Sequence, residues 1–193
     1  MMNKTSIAAA LLGAALLLNA GSASAIVGAT DNVPAATLLL PYFEIDTQNP
    51  GGIRTVVTVG NRSTSEQLAH VTLWTDRGVP TYTFDVRLPA SGVKEIDLGA
   101  LFTSGTVPSS TAGGFASCAA SLPKPNLNAG DLAGLRNAHT GLSSSLLGNQ
   151  CGGAVLGDGR ARGYITIDSV SACSTAKPGD VGYFIFGGLG IAN

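Results

Sequence analysis

Thr81-Tyr82-Thr83-Phe84-Asp85-Val86-Arg87-Leu88 alternates without a break between hydroxyl or charged residues and large apolar ones. Successive side chains of a strand point to opposite faces. The octet therefore reads as a β-strand with Tyr82, Phe84, Val86 and Leu88 toward a core and Thr81, Thr83, Asp85 and Arg87 toward water. Working outward, residues 68–74 place Ala69, Val71 and Leu73 on one face and Leu68, His70, Thr72 and Trp74 on the other, a strand with both faces partly covered. Residues 36–43, 53–59 and 93–98 are further short runs of Val, Ile, Thr, Leu and aromatics. Asn49-Pro50-Gly51-Gly52, Asn61-Arg62-Ser63, Asp76-Arg77-Gly78 and Ala90-Ser91-Gly92 punctuate them as turns. Closely spaced strands joined by tight turns predict an all-β fold, an antiparallel immunoglobulin-like β-sandwich. A parallel sheet would need crossover helices between them.

From residue 103 to 159 the texture changes to Gly, Ser, Ala and Pro, with Ser109-Ser110-Thr111-Ala112-Gly113-Gly114 and Ser143-Ser144-Ser145 as the plainest tracts. This Gly/Ser-rich stretch reads as a loop insertion carrying one short helix. Asn128 can cap that helix, Asp131 falls where a carboxylate favours the helix dipole, and Gly141 can end it in a left-handed turn. Leu132, Leu135 and His139 would share its inward face. Gly130 and Gly134 each weaken the helix by about 1 kcal/mol relative to Ala, so it needs docking to persist. Strand pattern returns at 163–170 and 182–186.

The first 25 residues read as a secretory signal peptide. Lys4 precedes an unbroken apolar and small-residue run from Ile7 to Leu18, and Ala23-Ser24-Ala25 supplies the cleavage signal. Cleavage after Ala25 leaves residues 26–193 as a single β-sandwich domain, with 103–159 as its insertion. No later run reaches the roughly 20 apolar residues of a membrane helix, so a secreted product without a transmembrane anchor is expected, in the periplasm, at the outer surface or outside the cell. The whole chain carries a formal charge of −1, and only 12% of its residues are charged. Loss of Lys4 makes the mature chain slightly more acidic, which gives no footing for nucleic acid.

Cys118, Cys151 and Cys173 all lie in the second half. In an oxidising compartment two of them should pair. Cys118 and Cys151 flank the expected helix, and joining them would contribute about 4 kcal/mol in the chain-entropy account, leaving Cys173 as the odd thiol. With no Cys-x-x-Cys, and both His far from any Cys in sequence, neither a metal site nor a cofactor is indicated.

Catalytic patterns fare poorly. Ile26-Val27-Gly28-Ala29 and Leu68-Ala69-His70 are similar to the processed start and the histidine of chymotrypsin-like serine proteases, but the tract Gly157-Asp158-Gly159-Arg160 stands where a nucleophilic serine is needed. The start is better explained as the end that signal peptidase leaves. Glu44 with Asp46, and Glu95 with Asp97, imitate glycosidase carboxylates or a calcium site, without the Asp-x-Asp-x-Asp-Gly loop that makes calcium legible. Gly187-Gly188-Leu189-Gly190 has no phosphate-loop lysine. Trp74, the single tryptophan, shares a strand face with His70 and could form a ligand platform with Tyr82 and His70 if exposed, although a core role suits a lone Trp better.

Three stretches, Val33-Pro34-Ala35-Ala36-Thr37-Leu38-Leu39-Leu40-Pro41-Tyr42-Phe43-Glu44, Ala69-His70-Val71-Thr72-Leu73-Trp74-Thr75-Asp76, and Gly157-Asp158-Gly159-Arg160-Ala161-Arg162-Gly163-Tyr164-Ile165-Thr166-Ile167-Asp168, resemble a family of uncharacterised secreted bacterial β-rich proteins. The resemblance implies export and a β fold and brings no catalytic residues. It also implies further strands after Tyr183, which would leave Cys173 without its partner. The function expected is that of a noncatalytic structural or interaction module meeting an extracellular protein or a glycan. A carbohydrate-binding module and a secreted hydrolase are the alternatives.

Overall fold

Four of the strands form one antiparallel sheet. β1 (Thr37–Asp46), β6 (Arg160–Val170), β3 (Gln67–Thr75) and β4 (Pro80–Leu88) lie side by side in that order, while β2 (Val56–Gly60) and β5 (Val93–Asp97) pair as a second antiparallel sheet. Helix α1 (Leu98–Ser104) follows β5 directly, and α2 (Ala129–Thr140) and a 3₁₀ turn (Ser145–Leu147) precede β6. This is a computed structural model, and it describes residues 36–110, 118, 122–180 and 183. The signal peptide expected at 1–25, the mature start expected at Ile26, most of the 109–114 tract, the strand expected at 182–186 apart from Tyr183, and the glycines at 187–190 lie outside the described residues.

The alternation that predicted the strands builds the core. Val71 and Leu73 of β3, Phe84 and Val86 of β4, and Ile165 of β6 project from one face of the larger sheet onto Val59 of β2 and Ile96 of β5. Both sheets therefore share one core, which fits a β-sandwich. Each fully buried Phe or Leu contributes about 2 kcal/mol, so this shared layer supplies much of the driving force.

Two helices close that core. Asn128 caps α2 by accepting the Asp131 backbone N–H at 2.9 Å, and Gly141 (φ 82°) ends it, as expected. Leu135 and His139 are buried and Leu132 only partly so. Docking comes from Arg136, whose guanidinium donates to the Phe102 and Thr103 carbonyls at 2.7 and 2.6 Å, where the last turn of α1 carries the negative end of its dipole. Because Leu135 joins the main core, α2 is part of the fold and not an appended loop. Helix α1 was not foreseen. Leu98 ends no strand: Asp97 caps the helix by accepting from Ala100 N at 3.1 Å, Gly105 (φ 73°) stops it, and Leu98, Leu101 and Phe102 bury its inner side.

Three sequence-based expectations need correction. The supposed wet face of β4 is covered, since Thr81, Thr83 and Asp85 are no more than 2% exposed. The segment that follows β6 folds back over it, with Ser174 N donating to Asp85 Oδ2 at 3.0 Å and the Thr83 hydroxyl donating to the Thr175 carbonyl at 3.2 Å. The disulfide joins Cys118 to Cys173, Cα atoms 4.9 Å apart, and Cys151 is the exposed free thiol. The run of β6 past Val170 carries Cys173 to the end of the sheet, where Cys118, Leu68 and Leu122 form a small apolar cluster. Cys151 instead follows the 3₁₀ turn, in a stretch anchored to the end of α2 through Gly153 N and the Ala138 carbonyl. With Cys173 paired inside the chain, the cysteine count no longer argues for a missing C-terminal partner. Third, Tyr82 does not join Trp74 on one surface, for the reason given next.

Candidate functional site

The outer face of the larger sheet holds the residues of chemical interest. Cross-strand register sets them in rows: Leu68 beside Val170, His70 between Asp85 and Asp168, Thr72 between Thr83 and Thr166, and Trp74 beside Tyr164. On β1, Thr37 continues the His70 row and Glu44 faces Arg162. Tyr82 pairs with Leu73 and so points to the opposite, core-facing side, where it packs against the main core with the Lys124 ammonium 4.2 Å from its ring centre. Burial pushes the Tyr82 phenol well above its ordinary range, with Asp131 adding to the effect. Of the sequence-derived platform, His70 and Trp74 share a face, but His70 is fully buried and Tyr82 is on the far side.

One half of the face is sealed. His70 Nδ1 lies 2.6 Å from Asp85 Oδ1, and the two side chains are 0% and 2% exposed. Asp168 accepts from the Thr37 hydroxyl at 2.7 Å. The Tyr183 ring flanks the imidazole with centroids 6.4 Å apart, and burial raises the Tyr183 phenol above its ordinary value, helped by Asp168 and opposed by a hydrogen bond with Thr72. A carboxylate holding one imidazole nitrogen leaves the other as a proton acceptor. Here that second nitrogen, Nε2, is buried and has no partner among the described residues.

The other half is open. Trp74 and Tyr164 stack with centroids 5.7 Å apart and planes within 5°, both half-buried, and the indole N–H donates to the Thr166 hydroxyl at 3.0 Å. Beyond them Glu44 Oε1 accepts from Arg160 and Arg162, each at 2.9 Å, and Arg162 also donates to Asp158 at 3.0 Å. The Arg160 and Tyr42 hydrogen bonds hold the Glu44 carboxyl below its ordinary range, and Arg162 pulls Asp158 down to about 2. Leu39 and Tyr42, 61% and 52% exposed, border this half. A cleft of about 360 Å³ lies nearby, between Arg136 and Asn137 of α2, Gln48, and the 154–160 loop, with exposed Leu142, Val155 and Leu156 on its rim.

Two further candidate acids serve a turn and a cap. Asp46 Oδ1 accepts from the Gln48 and Asn49 backbone N–H groups, and Asp97 caps α1 while pairing with Arg54. Among the described residues, no three His, Cys, Asp or Glu side chains gather as metal ligands. The partners that sequence alone missed, Asp85 and Asp168 for His70 and Tyr164 for Trp74, carry a parity signal: Arg160, Arg162, Tyr164, Thr166 and Asp168 alternate with Ala161, Gly163, Ile165 and Ile167. Which strand neighbours them is set by the fold. No protein-family model, curated protein or solved structure matches this chain.

Proposed function

We propose that this chain is an exported, noncatalytic β module, immunoglobulin-like in having two antiparallel sheets joined by connections that cross between them, which acts by presenting the open half of its outer sheet face to an extracellular protein or glycan. The observation that carries this reading is the division of that face. The one catalytic-looking pair among the described residues, Asp85 and His70, is closed under the Ser174 backbone and the Tyr183 ring, while the aromatic stack and the Glu44–Arg162–Asp158 network meet solvent. Export is supported by the leader-like first 25 residues, by the disulfide, and by the lack, among the described residues, of any helix long and apolar enough to cross a membrane.

Within this reading a glycan is favoured by one specific feature, a stacked Trp74–Tyr164 pair next to charged hydrogen-bonding groups, since sugar rings bind on aromatic faces flanked by polar side chains. A hydrolase reading is weaker. Glu44 is held ionised by two arginines, which suits no general acid, and Asp46 is occupied in a turn. A glycan array with tryptophan-fluorescence titration tests the proposal, because Trp74 is the one tryptophan and reports from the site. Saturable quenching lost in Trp74→Ala supports the glycan form. Turnover on a panel of glycoside and ester substrates, abolished by Glu44→Gln, would overturn the noncatalytic one.

A further inference from the structure

We propose that residues 171–176 form a disulfide-latched lid over Asp85 and, with the Tyr183 ring that lies beside the imidazole, over its partner His70, and that reduction of Cys118–Cys173 by a dithiol opens the His70 imidazole to solvent while the two sheets stay folded. This goes beyond the binding role proposed above, and its test reads His70 whatever the open half of the face binds.

Among the described residues, the contacts that hold the lid at 171–176 are few and local. Cys173 is bonded to Cys118, Ser174 N donates to Asp85, and Thr83 donates to the Thr175 carbonyl. Its apolar support is the small cluster of Leu68, Cys118 and Leu122 with Val170 and Cys173, separate from the main core, to which no lid residue belongs. Segments with few buried apolar contacts open below the threshold of global unfolding. The disulfide, which spans 55 residues in sequence, is then the strongest constraint keeping the lid shut.

What the lid covers is prepared for exposure. Nδ1 of His70 is held 2.6 Å from Asp85 Oδ1, which orients the ring and leaves Nε2 buried and without a partner among the described residues. A purely space-filling position would be served by an apolar side chain with no orphaned polar atom. An Asp-oriented imidazole with a bare second nitrogen is the arrangement of a general base. Opening is a balanced exchange. The protein disulfide takes up two electrons and two protons to become two thiols, and the dithiol closes to its own disulfide.

Diethyl pyrocarbonate acylates accessible neutral imidazole, and the chain has two histidines, so mass mapping reads each separately. His139 is the internal reference, because Thr81 and the Arg162 carbonyl engage both its ring nitrogens away from the lid. Oxidised protein is compared with protein reduced by dithiothreitol and freed of reductant without oxygen, with amide hydrogen exchange measured in parallel. His70 is expected to react about tenfold to about a thousandfold faster after reduction, the upper figure being the population shift from losing a link of this span. His139 should be unchanged, and exchange should rise in 171–176 but not in the centres of β3 and β6. Equal protection of His70 in both forms overturns the proposal. So does a joint rise at His70, His139 and both sheets, which would make the disulfide a clamp on the whole fold. Cys173→Ser gives the same comparison without reductant, and a His70 as protected there as in the oxidised protein also overturns it.

Discussion

Acidification should destabilise this protein through His139 before Glu44 and Asp158 take part. The imidazole is 1% exposed, packed 5.5 Å from the Phe43 ring and edge-on to Phe102 at 5.1 Å, with Nδ1 at 2.9 Å from the Arg162 carbonyl and Nε2 at 2.8 Å from the Thr81 hydroxyl. Burial lowers its pKa from 6.5 to about 4, against the opposing pull of the Arg162 carbonyl and Asp76. Because the folded value lies below the unfolded one, the unfolded chain takes the proton first as pH falls. Stability from the neutral ring is full above about pH 6.5, declines at about 1.4 kcal/mol per unit, and levels off near pH 4, a loss of about 3 kcal/mol. That is a large part of the roughly 5–15 kcal/mol that holds a typical domain together.

Urea midpoints followed by Trp74 fluorescence from pH 7.5 to 5, for the natural protein and His139→Gln, isolate the effect. Glutamine keeps hydrogen-bonding groups at the site but does not titrate. Glu44 and Asp158 stay clear of this range, since groups held below their ordinary values of 4.5 and 3.8 lose their contribution only as pH falls through and below those values. The natural protein should lose close to 2 kcal/mol between about pH 6.5 and 5, and the variant should lose markedly less. Parallel curves would refute the reasoning, because His139 would then titrate alike in both states.

Gly163→Ala should cost at least about 3 kcal/mol or prevent folding, because a Cβ there would fall 2.0 Å from the Trp74 carbonyl oxygen and 3.1 Å from His139 Nδ1; near-natural thermal stability would contradict this contact. Asn128→Ala removes the α2 cap and should cost about 1 kcal/mol in chemical denaturation, and an unchanged midpoint would mean that Arg136 anchors the helix unaided. Alkylation of the native, unreduced protein should label Cys151 alone, and non-reducing peptide maps should join Cys118 to Cys173; a Cys118–Cys151 peptide would sink the assignment.

How much was legible beforehand follows from the range of each interaction. The strands came from period-two alternation and α2 from Asn128, Asp131 and Gly141, all signals contained within a dozen residues. Helix α1 escaped because Val93–Asp97 passes into it with no loop, although Asp97 and Gly105 are cap residues at the right spacing. The disulfide escaped for a different reason. Chain-entropy arguments give similar worth to either closure, so the choice rests on where β6 delivers Cys173, which is a matter of topology.

The same limit governs the site. Parity along β3 assigns His70 and Trp74 to one face, and that much was correct, yet the two residues meet opposite fates because residues about a hundred positions later, Ser174 against Asp85 and the Tyr183 ring against the imidazole, lie over one and not the other. Exposure of a strand face is therefore no property of the strand. It depends on which distant backbone completes the layer, and here that backbone is tethered by a covalent bond. On the reading proposed above, the open half of the face is the surface for binding and the covered half holds the imidazole that Asp85 orients. That division goes with the order β1-β6-β3-β4, which ends β6 beside β3 and lets the residues that follow it, Ser174 and Thr175, reach across to β4.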